Sequence, residues 1–257
     1  MKAKRKNTRQ RKIDRNQPYE VNNKFTPELG IKDFHLTVSQ NELYNKIRDN
    51  TITFVEAPAG CGKSFAALYY AVQNYLTNRD DIIVIRTALE AGEDRIGFLP
   101  AGLSDKLEPH FASAKMILES LLSKGKVETE LEKKIFFKVP NFCLGCTFSN
   151  SVVLIDEAQA MSPMILKLLL ERIGENTKVI VCGDSTQVYT SSKGRNGLTS
   201  AMERFFETSK DGLVRDPNNK NLTPLFDNIC YHRFGIEDVV RSEIVKSVLT
   251  AYSNKPL

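Results

Sequence analysis

The sequence lacks any long hydrophobic run, and no apolar stretch reaches the roughly 18 residues that a membrane-spanning helix needs. The basic N-terminus has no apolar stretch behind it, so it lacks the pattern of a secretory signal peptide as well. These two absences argue against a membrane partner and predict a cytoplasmic location.

Histidine and cysteine are also scarce. The three histidines are isolated, and no serine or cysteine near them completes the pattern of a catalytic triad, so nucleophilic catalysis has no support. Cys143 and Cys146 form a C-x-x-C pair, but no second pair and no nearby histidine would complete a zinc site. The five cysteines are an odd number within apolar segments, which predicts reduced thiols and no disulfide bonds.

The overall composition of the chain is typical of a globular protein. Hydrophobic residues make up 41% of its 257 residues and charged residues 26%, a balance that excludes collagen-like and wholly disordered chains. An α/β fold of this length commonly has a single core. We therefore predict one main domain over residues 25–257, preceded by a basic tail over residues 1–24.

The tail is set apart by its charge. Residues 1–15 hold eight basic side chains and one acidic one, a net charge of +7, whereas the remaining residues sum to −2. Because so few apolar residues lie in this run, we expect it to be disordered. Such a run attracts phosphate backbones by counterion release, and the alternative is a solvated tail that only aids solubility. Anionic lipid is the weaker interpretation, since the tail has no amphipathic helix or lipidation motif.

Short apolar runs alternate with amphipathic stretches along the rest of the chain. Six runs predict strands, and their continuous apolar character is typical of strands covered on both faces. They are Ile52–Val55, Ile82–Ile85, Ile135–Val139, Val152–Ile155, Val179–Cys182 and Ile229–Phe234. Helical patterns are found at Ser64–Leu76, Ser104–Leu122, Met164–Ile173, Leu198–Phe206 and Glu237–Tyr252. The alternation predicts an α/β fold with a largely parallel sheet and helices on both faces, and the polar stretch Asp211–Pro224 predicts a surface excursion.

The turn after the first strand carries a phosphate-binding motif. Its eight residues are Ala57, Pro58, Ala59, Gly60, Cys61, Gly62, Lys63 and Ser64. They match the P-loop pattern G-x-x-x-x-G-K-[ST], except that an alanine, which keeps every phosphate donor if its φ is negative, replaces the first glycine. At this spacing backbone N–H groups wrap a phosphate at a helix N-terminus. We expect Lys63 to reach the β and γ phosphates and Ser64 to bind Mg²⁺.

A second motif follows the fourth apolar run. The buried strand Val152–Ile155 ends in Asp156 and Glu157, the form of a Walker B segment. Two adjacent carboxylates at a strand end are costly to bury unless a cation or ordered water meets them. We expect Asp156 to hold Mg²⁺ and Glu157 to polarise the attacking water.

Two glutamines are candidates for contact with the nucleotide. Gln187 follows the strand that ends at Cys182, and a carboxamide there can donate to a γ-phosphate oxygen and accept from a water. Gln40 precedes the P-loop in sequence, and a glutamine can pair with N6 and N7 of adenine. The alternative for Gln40 is an ordinary residue of a helix surface.

Several short tracts resemble the PhoH-like ATPases. They are Ala57–Ser64, Glu90–Glu93 with Gly97–Pro100, Asp156–Gln159, Gly183–Gln187 and Asp238–Arg241. Their order and spacing cover nearly all of residues 36–252, and Gly97–Pro100 is the most specific of them because P-loop motifs occur in many unrelated proteins. The chain departs from the family at Ala57 and in Asp211–Pro224, where family members usually continue directly to the next strand.

The resemblance implies a single RecA-like P-loop NTPase domain that binds and hydrolyses ATP with Mg²⁺. PhoH-like proteins are similar to superfamily one helicases and are frequent in bacteria and tailed phages. The resemblance therefore also implies action on RNA or single-stranded DNA, in the host cytoplasm if the chain is encoded by a phage.

A single RecA-like domain leaves the source of the arginine for the γ phosphate open. A superfamily one helicase takes it from a second RecA-like domain, so in this chain we expect a neighbouring subunit to supply it in trans. The candidates are Arg241 first, Arg172 second and Arg86 third, since a guanidinium stays charged and presents a planar fork. The alternative for Arg241 is an i,i+4 partner of Glu237 on an exposed helix. An arginine supplied in trans predicts a homo-oligomer, of which a hexameric ring is one form.

Two classes of function remain open. In the first, the chain is a nucleic-acid-dependent ATPase or helicase. In the second, it is a nucleotide-dependent switch or scaffold that binds a protein partner and hydrolyses ATP slowly. A small-molecule kinase is the weaker third, because its acceptor pocket and lid would normally need an inserted segment of their own.

Overall fold

The computed structural model describes residues 34–87, 103–185, 187, 196–215 and 221–254, with the backbone alone at 103–107, 253 and 254. The predicted tail over residues 1–24 lies outside this part of the chain. So do two tracts of the family resemblance, Glu90–Glu93 and Gly97–Pro100.

All six apolar runs form strands, each within one or two residues of its predicted bounds. The strands are β1 (Ile52–Glu56), β2 (Asp81–Arg86), β3 (Ile135–Lys138), β4 (Ser151–Asp156), β5 (Thr177–Gly183) and β8 (Ile229–Arg233). A small antiparallel hairpin, β6 (Thr208–Ser209) with β7 (Gly212–Leu213), lies apart from them.

The helices lie between these strands and at both ends of the described chain. They are α1 (Val38–Asp49), α2 (Lys63–Asn78), α3 (Leu103–Leu122), α4 (Lys124–Glu130), α5 (Pro163–Leu170), α6 (Gly197–Phe205) and α7 (Glu243–Asn254). The apolar pattern of the sequence does not predict α1, which begins with a capping box formed by Thr37 and Gln40. In the described part of the chain, no helix has the length and apolar character needed to span a membrane.

The six main strands form one parallel sheet in the order β3-β2-β4-β5-β1-β8. Strand β5 therefore separates β1, which leads into the P-loop, from β4, which ends at Asp156. Parallel strands end at a common edge, and the register pairs Arg86 with Asp156 and Glu56 with Gly183 at that edge. The two nucleotide motifs thus lie at the same edge of the sheet, where the carboxyl ends of the strands meet.

Helices cover both faces of this sheet. Helices α1 to α4 pack on one face and α5 with α6 on the other. Side chains of β4 alternate between the two cores, with Leu154 in the first and Ile155 in the second, so every residue of the strand is buried. The predicted α/β fold class, with a largely parallel sheet and helices on both faces, is confirmed.

The C-terminal helix is shorter than predicted. A 3-10 turn covers Ile236–Asp238, the chain is extended at Val239, and α7 begins only at Glu243. The backbone N–H of Val240 donates to the Gly60 carbonyl at 3.1 Å, which draws this stretch to the P-loop instead of into a helix. Glu237 and Arg241 therefore do not share a helix, and the alternative of an i,i+4 pair is wrong.

The excursion Asp211–Pro224 is more firmly attached than a surface loop. Its chain returns by antiparallel bridges from Arg215 to Leu222 and from Phe206 to Pro224. Leu222 is buried in the core beside α6, a position that the polar composition of the stretch did not predict.

Candidate nucleotide-binding site

The P-loop is the turn between β1 and α2, and both of its glycines are required by geometry. Gly60 and Gly62 have φ values of 89° and 76°, in the left-handed region that favours glycine. A Cβ atom at Gly60 would lie 2.9 Å from Cδ of Arg241, and one at Gly62 would lie 2.5 Å from Nε2 of Gln40. Larger residues would therefore both strain the loop and displace two neighbouring side chains.

The remaining P-loop residues fit the predicted motif. Ala57 is not among the described non-glycine residues with positive φ, so the alanine meets the condition set by the sequence analysis. Burial raises the pKa of the Cys61 thiol to about 12, and this side chain therefore stays protonated at neutral pH. Helix α2 begins at Lys63 with Gly62 as its N-cap, and no side chain in the described residues caps that end. Its first N–H groups are positioned as in helix N-termini that bind anions.

Ser64 and Asp156 meet across the site. The Ser64 hydroxyl lies 3.3 and 3.4 Å from the two carboxylate oxygens of Asp156, although 92 residues separate them. Asp156 is buried, which raises its pKa; Lys63 opposes this shift and Glu157 adds to it. A hydroxyl and a carboxylate are oxygen ligands of the kind Mg²⁺ prefers, and a cation would offset the cost of burying this carboxylate. The pair therefore fits the predicted magnesium site.

Glu157 follows β4 in a backbone conformation that is uncommon for a glutamate. Its φ of 53° and ψ of 44° are left-handed, a kind of strain that is frequent at functional sites. One carboxylate oxygen accepts from Nε2 of Gln159 at 2.6 Å, and the other lies 3.7 Å from a guanidinium nitrogen of Arg86. Both oxygens of the predicted general base thus contact a neighbouring side chain.

Gln159 connects this base to the segment after β5. Its Oε1 accepts from the backbone N–H of Asp184 at 3.1 Å while its Nε2 donates to Glu157. Gln187 in turn donates from Nε2 to the Asp184 carboxylate at 2.9 Å. The structure therefore places Gln187 at the same edge of the sheet as the P-loop, close to the Walker B segment.

Gln40 lies directly beneath the P-loop, with 5% of its surface exposed. Its Nε2 donates to the Cys61 carbonyl at 3.1 Å, and its Oε1 accepts from the Thr37 backbone N–H at 3.1 Å. It is therefore not an ordinary helix-surface residue. It supports the P-loop backbone, and its contact with adenine stays a prediction.

The three candidate arginines occupy different places. Arg241 lies against Gly60 of its own P-loop, whereas the expectation from the sequence is that it acts on the nucleotide of a neighbouring chain. Arg86 ends β2 beside Glu157 in the same chain. The Arg172 carbonyl accepts from the Phe148 N–H, near the start of β4 and so at the edge opposite the P-loop.

Two contacts of this site were missed by the sequence analysis. The role of Gln159 could have been predicted from the sequence, because this residue ends the Asp156–Gln159 tract. The motif was used to predict functions for its two carboxylates only. The contact between Arg86 and Glu157 follows from the pairing of β2 with β4, and the chain order alone does not predict which strands pair.

Comparison of sequences places this chain among known proteins. Residues 34–253 match the family model described as PhoH-like protein. The chain is 35% identical over 211 residues to Protein PhoH of Escherichia coli K12, covering 80% of this chain and 54% of that protein. It is 32% identical over 218 residues to a PhoH-like protein of Synechocystis, covering 84% and 61% respectively. The chain spans little more than half the length of these relatives.

Solved structures with a similar fold include two ATPase or helicase domains. The ATPase domain of the large terminase of Thermus phage P74-26 matches with a TM-score of 0.49 and 17% identity, covering 89% of this chain and 91% of that one. The helicase domain of Hef from Pyrococcus furiosus matches with a TM-score of 0.42 and 11% identity, covering 78% and 38%. Similarity at this level does not bear on function.

Proposed function

This chain belongs to the PhoH-like protein family, and from that premise we propose that it binds and hydrolyses ATP. The observation that carries the proposal is the meeting of Ser64 with Asp156, which joins the P-loop to the Walker B segment at one edge of the sheet. Glu157 comes directly after this pair. The site therefore combines phosphate donors, magnesium ligands and a carboxylate that can orient water.

In the proposed mechanism the P-loop N–H groups and Lys63 bind and orient the β and γ phosphates. Ser64 and Asp156 would hold Mg²⁺, which supplies positive charge to the phosphate oxygens as the terminal bond breaks. Glu157 accepts a proton from the attacking water at a carboxylate oxygen. Gln187 is proposed to contact the γ phosphate, and Gln40 to contact adenine while it supports the loop.

We further propose that RNA or single-stranded DNA stimulates this activity. Family membership and the net charge of +7 in residues 1–15 support this substrate class. The alternative of a nucleotide-dependent switch is favoured by one contact, since Arg86 lies 3.7 Å from a carboxylate oxygen of Glu157 and an ion pair there would slow hydrolysis.

Stimulation by a polymer separates the two proposals. We expect ATP turnover to rise about tenfold or more when single-stranded RNA or DNA is added, because a polymer that favours the active arrangement shifts its population. The measurement is steady-state phosphate release with RNA, single-stranded DNA and duplex DNA, and Glu157→Gln is the control without turnover. If none of the three polymers changes the rate of ATP turnover, the result would favour the switch.

The tail gives a second prediction. Deleting residues 1–15 removes up to eight phosphate-neutralising groups, so the slope of log affinity against log salt should flatten by several units. Fluorescence anisotropy with a labelled single strand at several salt concentrations measures this slope. A tail of the same length with its basic residues replaced by glutamine is expected to behave like the deletion, and a shuffled tail that keeps the charge like the full chain. Equal slopes for all four proteins would remove this role from the tail.

We also propose that the chain forms a homo-oligomer, with a hexameric ring as one arrangement. Arg241 and Arg86 lie at the site of their own chain, whereas the Arg172 backbone lies at the opposite edge of the sheet, so we propose Arg172 as the candidate for a head-to-tail contact. Association that completes the site would raise turnover per chain as the protein concentration rises.

A further inference from the structure

A cluster of four buried or half-buried side chains lies beside the nucleotide site and has no part in the proposed mechanism. We name it the Glu56 cluster; its members are Glu56, Ser185, Arg215 and Tyr231. They come from the end of β1, the segment after β5, the excursion and β8. At its centre is Glu56, whose side chain is 11% exposed and which directly precedes the P-loop.

Three side chains donate to the Glu56 carboxylate. The Ser185 hydroxyl donates to Oε1 and the Tyr231 hydroxyl to Oε2. Arg215 donates to Oε2 at 3.3 Å and to the Tyr231 oxygen at 2.9 Å, and its guanidinium carbon lies 5.6 Å from the centre of the Tyr231 ring. Every member therefore contacts at least one other, and Arg215 contacts two.

The charge state of Glu56 agrees with this arrangement. Burial alone would raise the pKa of Glu56, but the hydrogen bonds from Ser185 and Tyr231 and the charges of Arg215 and Arg233 lower it overall. The carboxylate is therefore ionised at neutral pH and can accept from all three donors. Removal of Arg215 would leave a buried carboxylate with less compensation.

The cluster connects to the predicted general base through the segment after β5. Ser185 is the neighbour of Asp184, whose backbone N–H donates to Gln159, and Gln159 donates to Glu157. Asp184 also accepts from Gln187. The excursion thus reaches the catalytic edge through a continuous series of contacts and the peptide bond between Asp184 and Ser185.

We propose that Glu56 and Arg215 are positioning residues: Arg215 holds the Glu56 carboxylate where it fixes Ser185, and so places Asp184, Gln159 and Gln187 against Glu157. The inference rests on the proposed ATP hydrolysis. In this proposal the excursion supplies the arginine that holds the Glu56 carboxylate. Among the described residues, Arg215 of that segment is the only charged partner of Glu56 at ion-pair distance.

The test separates positioning of the base from binding of ATP. Glu56→Gln keeps the size of the side chain but removes its charge, and Arg215→Gln removes the guanidinium; each is expected to lower kcat about tenfold while the Kd for ATP changes less than about twofold. Arg215→Lys restores a charge and should recover part of the lost kcat. The double variant should fall no further than either single variant, since both remove the same contact. Arg204→Gln, in α6 and outside the cluster, is the matched control and should keep the wild-type kcat.

The outcomes are distinct. A wild-type chain that does not hydrolyse ATP would contradict the proposed function. If the wild type is active and both glutamine variants keep its kcat, the positioning role alone is overturned. The same holds if the losses of kcat multiply in the double variant, or if the affinity for ATP falls as much as kcat does. Melting temperatures are measured for every variant to show that it folds. If Arg215→Gln fails to fold, Ser185→Ala and Tyr231→Phe take its place. Each removes one hydrogen bond to Glu56 and is expected to lower kcat to the same extent.

Discussion

Replacing Lys63 and Glu157 is expected to separate ATP binding from ATP hydrolysis. Lys63→Ala removes the charge that meets the β and γ phosphates, so the Kd for ATP should rise by roughly 30-fold or more and turnover should be lost. Glu157→Gln keeps the shape of the side chain but cannot take a proton from water. We expect it to bind ATP with nearly unchanged affinity while kcat falls by about two to four orders of magnitude.

Binding of a fluorescent ATP analogue and release of phosphate measure these two effects. Lys124→Ala and Glu128→Gln are the matched controls, because this exposed pair on α4 lies 3.9 Å apart and contributes little to stability. Wild-type turnover in Glu157→Gln would contradict its assignment as the base. Unchanged ATP affinity in Lys63→Ala would contradict the assignment of the P-loop.

The strands and the two main motifs could be predicted because their signals are local. Each strand is a short apolar run, and the Lys63 and Asp156 motifs stand at the ends of such runs, where parallel strands meet one edge of a sheet. The meeting of Ser64 with Asp156 follows from that rule. Even Ala57 could be judged in advance, since its only requirement was a backbone that alanine can adopt.

The contacts that escaped prediction join residues far apart in the chain. Arg215 lies 159 residues from Glu56, and nothing in the polar excursion indicates that its arginine reaches a carboxylate at the end of β1. The residue type of Gln40 predicts a contact with adenine, but its packing under Gly62 depends on how α1 crosses the P-loop. Helix periodicity likewise could not show that the chain breaks before α7, because the break depends on a hydrogen bond between Val240 and Gly60.

The largest remaining effect is expected at Arg241, acting on the nucleotide of its own chain. Its neighbour Val240 donates to the Gly60 carbonyl at 3.1 Å, and its own side chain lies across the position where a Cβ of Gly60 would be. A guanidinium held at this loop remains charged and can donate to γ-phosphate oxygens. Arg241→Ala should therefore lower kcat by about three orders of magnitude, as removal of an arginine finger does. Arg241→Lys should retain only part of the rate, because it lacks the planar fork.

Mixing variants distinguishes action within a chain from action between chains. If Arg241 serves its own P-loop, combining Arg241→Ala chains with Lys63→Ala chains should restore no turnover, since every chain lacks one of the two groups it needs. Co-assembly of the two variants is verified by pull-down with differently tagged chains. Recovered turnover would contradict the placement in cis, and full activity of Arg241→Ala alone would remove the residue from the mechanism. Arg172→Ala, at the opposite edge of the sheet, is the comparison: if that variant loses turnover and recovers it when mixed with Lys63→Ala, then the arginine supplied in trans is Arg172.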